Sequence, residues 1–189
     1  SYKDGSEENW TYDSFNQMTS YKDRDGVLYE YIRDERGNLI EYLSGGKRVY
    51  SQEVNAKGQI KKRTVYSQKD IVTEYGYYGN GNLEYQICDG VKTEYEYDGR
   101  NRVTKITVAG KVVTEYEYIG RNVIQKDYNG LETTYVTNVR KDMTDVIQKD
   151  TVTGKIHKTR IEYDKRHLPL KVYTGDGEAE TLVTSYLYT

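Results

Sequence analysis

Tyr97-Asp98-Gly99-Arg100-Asn101-Arg102-Val103, with Gly110 following half a period later, decides how this chain reads. A carboxylate in the second position can accept hydrogen bonds from backbone N–H groups two residues on. Asn in the fifth position tolerates positive φ, so the seven residues form a tight turn. The flanks alternate: in Lys92-Thr93-Glu94-Tyr95-Glu96-Tyr97 the Thr and Tyr fall on one face and the Lys and Glu on the other. Thr114-Glu115-Tyr116-Glu117-Tyr118 repeats that alternation. Two strands joined by a turn are the local prediction.

Working outward, the heptad recurs. Tyr12-Asp13-Ser14-Phe15-Asn16-Gln17-Met18 and Arg33-Asp34-Glu35-Arg36-Gly37-Asn38-Leu39 are clear copies. Val54-Asn55 with Gly58 and Ile60, Tyr77-Tyr78 with Gly81 and Leu83, and Tyr118-Ile119 with Asn122 and Ile124 are further ones. Thr137-Asn138 with Lys141 and Met143, then Tyr163-Asp164 with His167 and Pro169, are degenerate. The first positions, 12, 33, 54, 77, 97, 118, 137 and 163, keep a period of about 21 residues. Midway lie second turn signals: Asp25-Gly26, Gly45-Gly46, Asp89-Gly90, Ala109-Gly110, Asn129-Gly130, Thr153-Gly154 and Gly175-Asp176-Gly177. Each period therefore holds two strands and two turns. The prediction is an all-β, antiparallel β-hairpin array spanning residues 1–189 as a single repeat domain of about eight units.

Composition agrees and excludes other classes. Leu, Ile, Val and Phe number 38 of 189 residues, too few to fill a thick two-layer core, while 22 tyrosines offer a thin aromatic interior. The formal net charge of −2 removes the electrostatic drive for nonspecific nucleic-acid binding. Apolar runs of two or three residues predict no membrane insertion, and Ser1-Tyr2-Lys3-Asp4 lacks the order of a signal peptide. Cys88 stands alone, so no internal disulfide forms.

The remaining candidates for chemistry read as structural. His157 and His167 lack metal-ligand spacing, and His167 stands where Gly or Asn usually fills the turn. Glu94 with Glu96 and Glu115 with Glu117 share strand faces as glycosidase carboxylates might, but cross-strand charge pairing with neighbouring lysines explains them more simply. Asp23-Arg24-Asp25-Gly26 with Glu30 is too short for a calcium loop. Asn9-Trp10-Thr11 is a glycosylation sequon, and Lys61-Lys62-Arg63 and Lys165-Arg166-His167 are short basic runs on a solvated face. No cofactor, metal or catalytic site is expected, and the chain reads as non-enzymatic. Tyr75, Tyr77, Tyr95, Tyr97, Tyr116 and Tyr118 recur at repeat spacing; they read first as core or shell lining, with a glycan platform as the alternative.

The heptads, Tyr97-Asp98 with Asn101, Val103 and Gly110 above all, resemble the YD-repeat family, also called the RHS-repeat family, over essentially the whole chain. The structural positions that carry the resemblance are Tyr12, Asp13, Asn16, Asp34, Gly37, Asn55, Gly58, Gly81, Tyr97, Asp98, Asn101, Tyr118, Asn122, Tyr163 and Asp164. The resemblance implies a spiralling strand-turn-strand sheet that, in complete members, closes into a shell around another polypeptide. It implies large secreted or cell-surface bacterial proteins, toxins among them, and partners that are neighbouring repeats or an enclosed cargo domain. Cell-surface glycans are the alternative partner. The array would be a fragment of a longer one and prone to associate through its ends or edges. The Asp-, Pro- and Gly-rich cleavage signature of the toxin shells is absent from these 189 residues.

Overall fold

The computed structural model describes residues 6–188, so Ser1-Tyr2-Lys3-Asp4 lies outside the described residues. No helix occurs among them. The strands are β1 (Asn9–Tyr12), β2 (Met18–Lys22), β3 (Leu28–Arg33), β4 (Leu39–Ser44), β5 (Lys47–Val54), β6 (Ile60–Val65), β7 (Ile71–Tyr77) and β8 (Leu83–Cys88). β9 (Val91–Tyr97) and β10 (Val103–Val108) follow, then β11 (Lys111–Ile119), β12 (Asn122–Asp127), β13 (Leu131–Thr137), β14 (Met143–Asp150), β15 (Ile156–Tyr163), β16 (Pro169–Asp176) and β17 (Thr181–Ser185). Two compact units divide in sequence between Thr93 and Glu94, within β9.

In the first unit β1 to β8 pair antiparallel in chain order. In the second, β10 to β17 do the same. This is the antiparallel hairpin array that the alternation and turn signals predict. Neither unit has a second layer. Among the described residues no apolar side chain is fully buried, and Thr133, 7% exposed, is the one buried residue. With no layer to bury, stability has to come from contacts within the sheet, between neighbouring strands and neighbouring turns.

The turns follow from side-chain chemistry. Asp98 Oδ1 accepts from the N–H groups of Arg100 at 2.8 Å and Arg102 at 3.0 Å, while Asn101 N donates to the Asp98 carbonyl at 3.0 Å. Asn101 has φ of 61°, and Asn16, Gly37, Gly58, Gly81, Lys141 and His167 take the same left-handed backbone at the same repeat position. The bracing by Asp13, Asp34, Asn55, Asn138 and Asp164 is the same: each side-chain Oδ1 accepts from the N–H groups two and four residues on. These are three-residue loops in which a type I turn ends on a left-handed residue.

Several midpoint or heptad turns differ from the sequence expectation, among them Gly175-Asp176-Gly177, whose first two residues pair with Lys158 and His157 inside β16. Asn122 does not occupy the left-handed turn position; it opens β12 opposite Ile119. Gly120, with φ of 61°, takes the positive φ two residues earlier and closes a two-residue turn with Arg121. Asp25-Gly26 and Asn129-Gly130 are likewise not two-residue turns. Asp23 Oδ1 accepts from Val27 N at 2.8 Å, and Asp127 Oδ1 accepts from Asn129 N and Leu131 N at 2.9 Å each, so both loops copy the heptad turn. The Asp-x-x-Gly spacing of Asp23 to Gly26 and Asp127 to Gly130 is the sequence signal for this. Gly45-Gly46, Asp89-Gly90 and Ala109-Gly110 do carry positive φ at both residues, as two-residue hairpins require.

Candidate functional site

The heptad turns are where repeat meets repeat. Three contacts join one turn to the next. The tyrosine that opens a heptad donates its hydroxyl to the carbonyl of the residue that closed the heptad before it: Tyr77 to Ile60 at 2.8 Å, Tyr118 to Val103 at 2.8 Å and Tyr163 to Met143 at 2.9 Å. Tyr188 makes the same bond to Pro169 at 2.7 Å, which places it at the opening position of a further heptad. The cation at the fourth position reaches the carbonyl at the third position of the next turn: Arg36 to Ala56 and Lys57 to Gly79, both at 3.1 Å.

The polar side chain at the sixth position lies against the fifth position of the next turn. Gln59 Nε2 donates to the Gly81 carbonyl at 3.0 Å. A Cβ on Gly37 would sit 3.1 Å from the Gln17 amide, and one on Gly58 would sit 3.2 Å from Asn38 Oδ1. Glycine at these positions therefore serves the packing of turns as well as the turn itself. In the last pair an imidazole takes the contact: His167 Nδ1 lies 2.7 Å from Asp142 Oδ1, whose carboxylate also accepts from Asn138 at 3.0 Å. Those two contacts hold the Asp142 carboxyl below its ordinary range.

Aromatic side chains form a second linkage, through residues that also recur 21 apart: Trp10 and Tyr31, Tyr21 and Tyr42, Tyr29 and Tyr50. Trp10 stacks on Tyr21 at 5.4 Å, Tyr21 on Tyr29 at 5.7 Å and Tyr29 on Tyr42 at 6.5 Å; Tyr42 then meets Tyr31 at 5.3 Å and Tyr50 at 5.7 Å. Opposed register creates most of these pairs: Trp10 faces Tyr21, Tyr21 faces Tyr29, and Tyr42 faces both Tyr31 and Tyr50. The ring faces turn toward one another, so their surfaces are spent on packing. The Tyr21 hydroxyl donates to Glu8 at 2.8 Å, which pushes its pKa up to about 12.

The predicted tyrosine row is placed differently. Tyr75, Tyr77, Tyr95, Tyr97, Tyr116 and Tyr118 are all half-buried. Tyr116 faces Gln125, and Tyr118 faces Val123 and lies under the Arg102 guanidinium at 3.9 Å. Tyr75 faces Gln86, and Tyr77 faces Leu83. Tyr12, the opening residue of the first heptad, is 52% exposed.

On the opposite face of the second unit, charge alternates across the strands. Glu96 pairs with Lys105 at 2.9 Å, Lys105 faces Glu115, Glu115 faces Lys126, Lys126 faces Glu132 and Glu132 faces Lys149. Farther along, Lys158 bridges Asp145 at 3.1 Å and Glu180 at 3.2 Å, while Arg160 binds Glu180 at 2.8 Å and Glu162 at 2.7 Å. Glu96 and Glu115 thus sit in a self-neutralising row. Among the described residues no group of His, Cys, Asp and Glu is arranged to hold a metal ion. His157 Nδ1 contacts Asp176 at 2.9 Å and its Nε2 contacts Thr174 at 3.0 Å, beside an open concavity of about 710 Å³ lined by Leu131, Gln148 and Ile156. Cys88 is a half-buried free thiol opposite Thr73.

No protein-family model matches the sequence, and no curated protein is matched by it. Solved structures do match in fold. The crystal structure of TcdB2-TccC3 aligns over 88% of this chain and 12% of its own, with a TM-score of 0.62 and 11% identity. The crystal structure of TcdB2-TccC3-TEV aligns over 92% of this chain and 12% of its own, with a TM-score of 0.61 and 12% identity. The Photorhabdus luminescens Tc holotoxin pore aligns over 93% of this chain and 9% of its own, at a TM-score of 0.51 and 14% identity. The chain thus spans about a tenth of the length of the chains it resembles. Its turn motif resembles the YD repeat, and its fold is the antiparallel hairpin array found in part of these toxin-complex structures.

Proposed function

We propose that this chain is a non-catalytic wall segment of a larger YD-repeat shell, which encloses or displays another polypeptide of a secreted or cell-surface bacterial protein. The observation that carries the reading is the linkage of successive heptad turns, in which the tyrosine that opens one heptad bonds the carbonyl that closed the one before at Tyr77, Tyr118, Tyr163 and Tyr188. A single-layer sheet built this way extends by addition of units. The fold likeness to toxin-complex chains supports a part in toxin delivery. A glycan platform on the tyrosine row is the weaker reading, because Tyr118 is covered by Arg102 and the hydroxyls of Tyr77 and Tyr118 are spent on carbonyls.

The test sets Tyr77→Ala, Tyr118→Ala and Tyr163→Ala against glycan binding and thermal unfolding. A wall loses cooperative unfolding with each substitution; a platform keeps its fold and loses glycan affinity. For the shell itself, protease protection of the polypeptide joined to the complete array is the measurement, with digestion at the rate of an unfolded peptide the contrary result.

A further inference from the structure

The edge of the second unit where the heptad turns lie is charged unevenly. Its carboxylates are committed: Asp98 braces its turn and pairs with Arg102 at 2.6 Å, Asp142 pairs with His167, and Asp164 pairs with Arg166 at 3.0 Å. Four exposed cations of the same edge are not. Arg100, Arg121, Arg140 and Lys165 lie in the turns joining β9 to β10, β11 to β12, β13 to β14 and β15 to β16, and none forms an ion pair among the described residues. In the first unit the equivalent cations, Arg36 and Lys57, are used on neighbouring carbonyls.

Successive heptad turns stand two strands apart, so the free cations recur about every 9.5 Å along one line. We propose that this row is a docking edge for a linear anionic polysaccharide bearing sulfate or carboxylate groups. Guanidinium suits both groups, since its planar donors match two oxygens at once. The edge lacks what other polyanions need. Its turns present no exposed aromatic ring between the cations for stacking bases, which single-stranded nucleic acid requires. Its exposed large apolar side chains, Ile119, Val139 and Met143, are scattered over two turns, too sparse for the anchor cluster an acidic protein partner needs.

The experiment measures binding of the whole chain to heparin, to uncharged dextran, to poly-glutamate and to single-stranded DNA at low salt. The quadruple variant Arg100→Gln, Arg121→Gln, Arg140→Gln, Lys165→Gln is compared with an equal charge change at other exposed lysines, Lys47→Gln, Lys111→Gln, Lys149→Gln, Lys155→Gln. The expected result is heparin binding that falls about tenfold or more in the turn variant and with added salt, and little in the control. Equal loss in both variants, unchanged binding in the turn variant, or tighter binding of poly-glutamate or DNA than of heparin overturns the proposal. Far-UV circular dichroism of both variants confirms that the sheet persists, since the substituted side chains brace no turn.

Discussion

The two units share one hairpin pattern and hold it together with different side-chain chemistry. In the first, rings from Trp10 to Tyr50 stack across five consecutive strands. In the second, the alternating Glu and Lys row from Glu96 to Lys149 and the Asp145–Lys158–Glu180–Arg160 network span a comparable run of strands. Both contain turns braced the same way by an Asp or Asn side chain. The difference teaches that the Asp- and Gly-marked turns define the architecture, while the strand faces accept any row of residues whose cross-strand neighbours suit one another.

The sharpest way to break the comparison is to disturb close backbone approach. A Cβ on Gly175 would lie 1.7 Å from the Ala179 carbonyl oxygen, which is backbone and cannot swing aside. Gly175→Ala is expected to destabilise the second unit by about 3 kcal/mol, read as urea unfolding. A Cβ on Gly76 would lie 2.2 Å from a Tyr85 ring carbon, so Gly76→Ala costs the first unit about 1–2 kcal/mol, less because a ring can rotate.

Removing Tyr42 from the centre of the ring ladder deletes contacts to Tyr29, Tyr31 and Tyr50. Tyr42→Ala should cost about 2 kcal/mol in thermal or urea unfolding, and Tyr42→Phe almost nothing. An equal loss from both would mean that the hydroxyl, not the stack, matters. A gain is expected at Arg33, which occupies the opening heptad position where Tyr77, Tyr118 and Tyr163 place a hydroxyl. Its Nε is buried without a hydrogen-bond partner. Arg33→Tyr should raise stability by about 1 kcal/mol, by relieving that group and adding the inter-repeat bond; a lower melting temperature would show that the linkage does not transfer between repeats.

The smallest effect is in pH dependence, because the groups are exposed to solvent. Asp98 is held down to about 2 by Arg102 and by backbone N–H groups, and Asp142, Asp150 and Asp164 are also lowered by their hydrogen bonds. A lowered carboxyl stabilises the fold above its unfolded pKa near 4 and loses that contribution as pH falls through its folded value. The second unit should therefore weaken from about pH 4 toward 2, and Asp98→Asn should flatten the slope, since Asn55 shows that an amide braces the same turn. Tyr21 has the opposite sign: raised to about 12, it stabilises below pH 10 and is lost as pH climbs through 12. Melting temperature against pH for each unit's variants checks both slopes.

The turns were legible in the sequence because their chemistry is local. Asp98 and Asn101 are three residues apart, and nothing outside the loop is needed to read them. Gly120 displaced Asn122 from the expected role because a glycine beside the turn takes positive φ at lower cost than an asparagine two residues later. The contacts of the ring ladder were not legible, although its residues recur at the repeat period. Which tyrosine faces which depends on strand register, and register shifts at bulges such as those between Ile32 and Arg33 and between Tyr42 and Leu43. The inter-turn bonds of Tyr77, Tyr118 and Tyr163 needed three-dimensional stacking of repeats to appear, although the repeat spacing of those residues had marked them.

Each unit is a single layer of hairpins paired only with their neighbours along the chain. Nuclear Overhauser contacts between backbone protons of opposed strands test it most directly. An ordered series is expected within the second unit, Glu117 with Ile124, Ile124 with Thr134, Thr134 with Ile147 and Ile147 with Lys158. Strand contacts that skip a neighbour, or sequential contacts typical of helix within these segments, would contradict it.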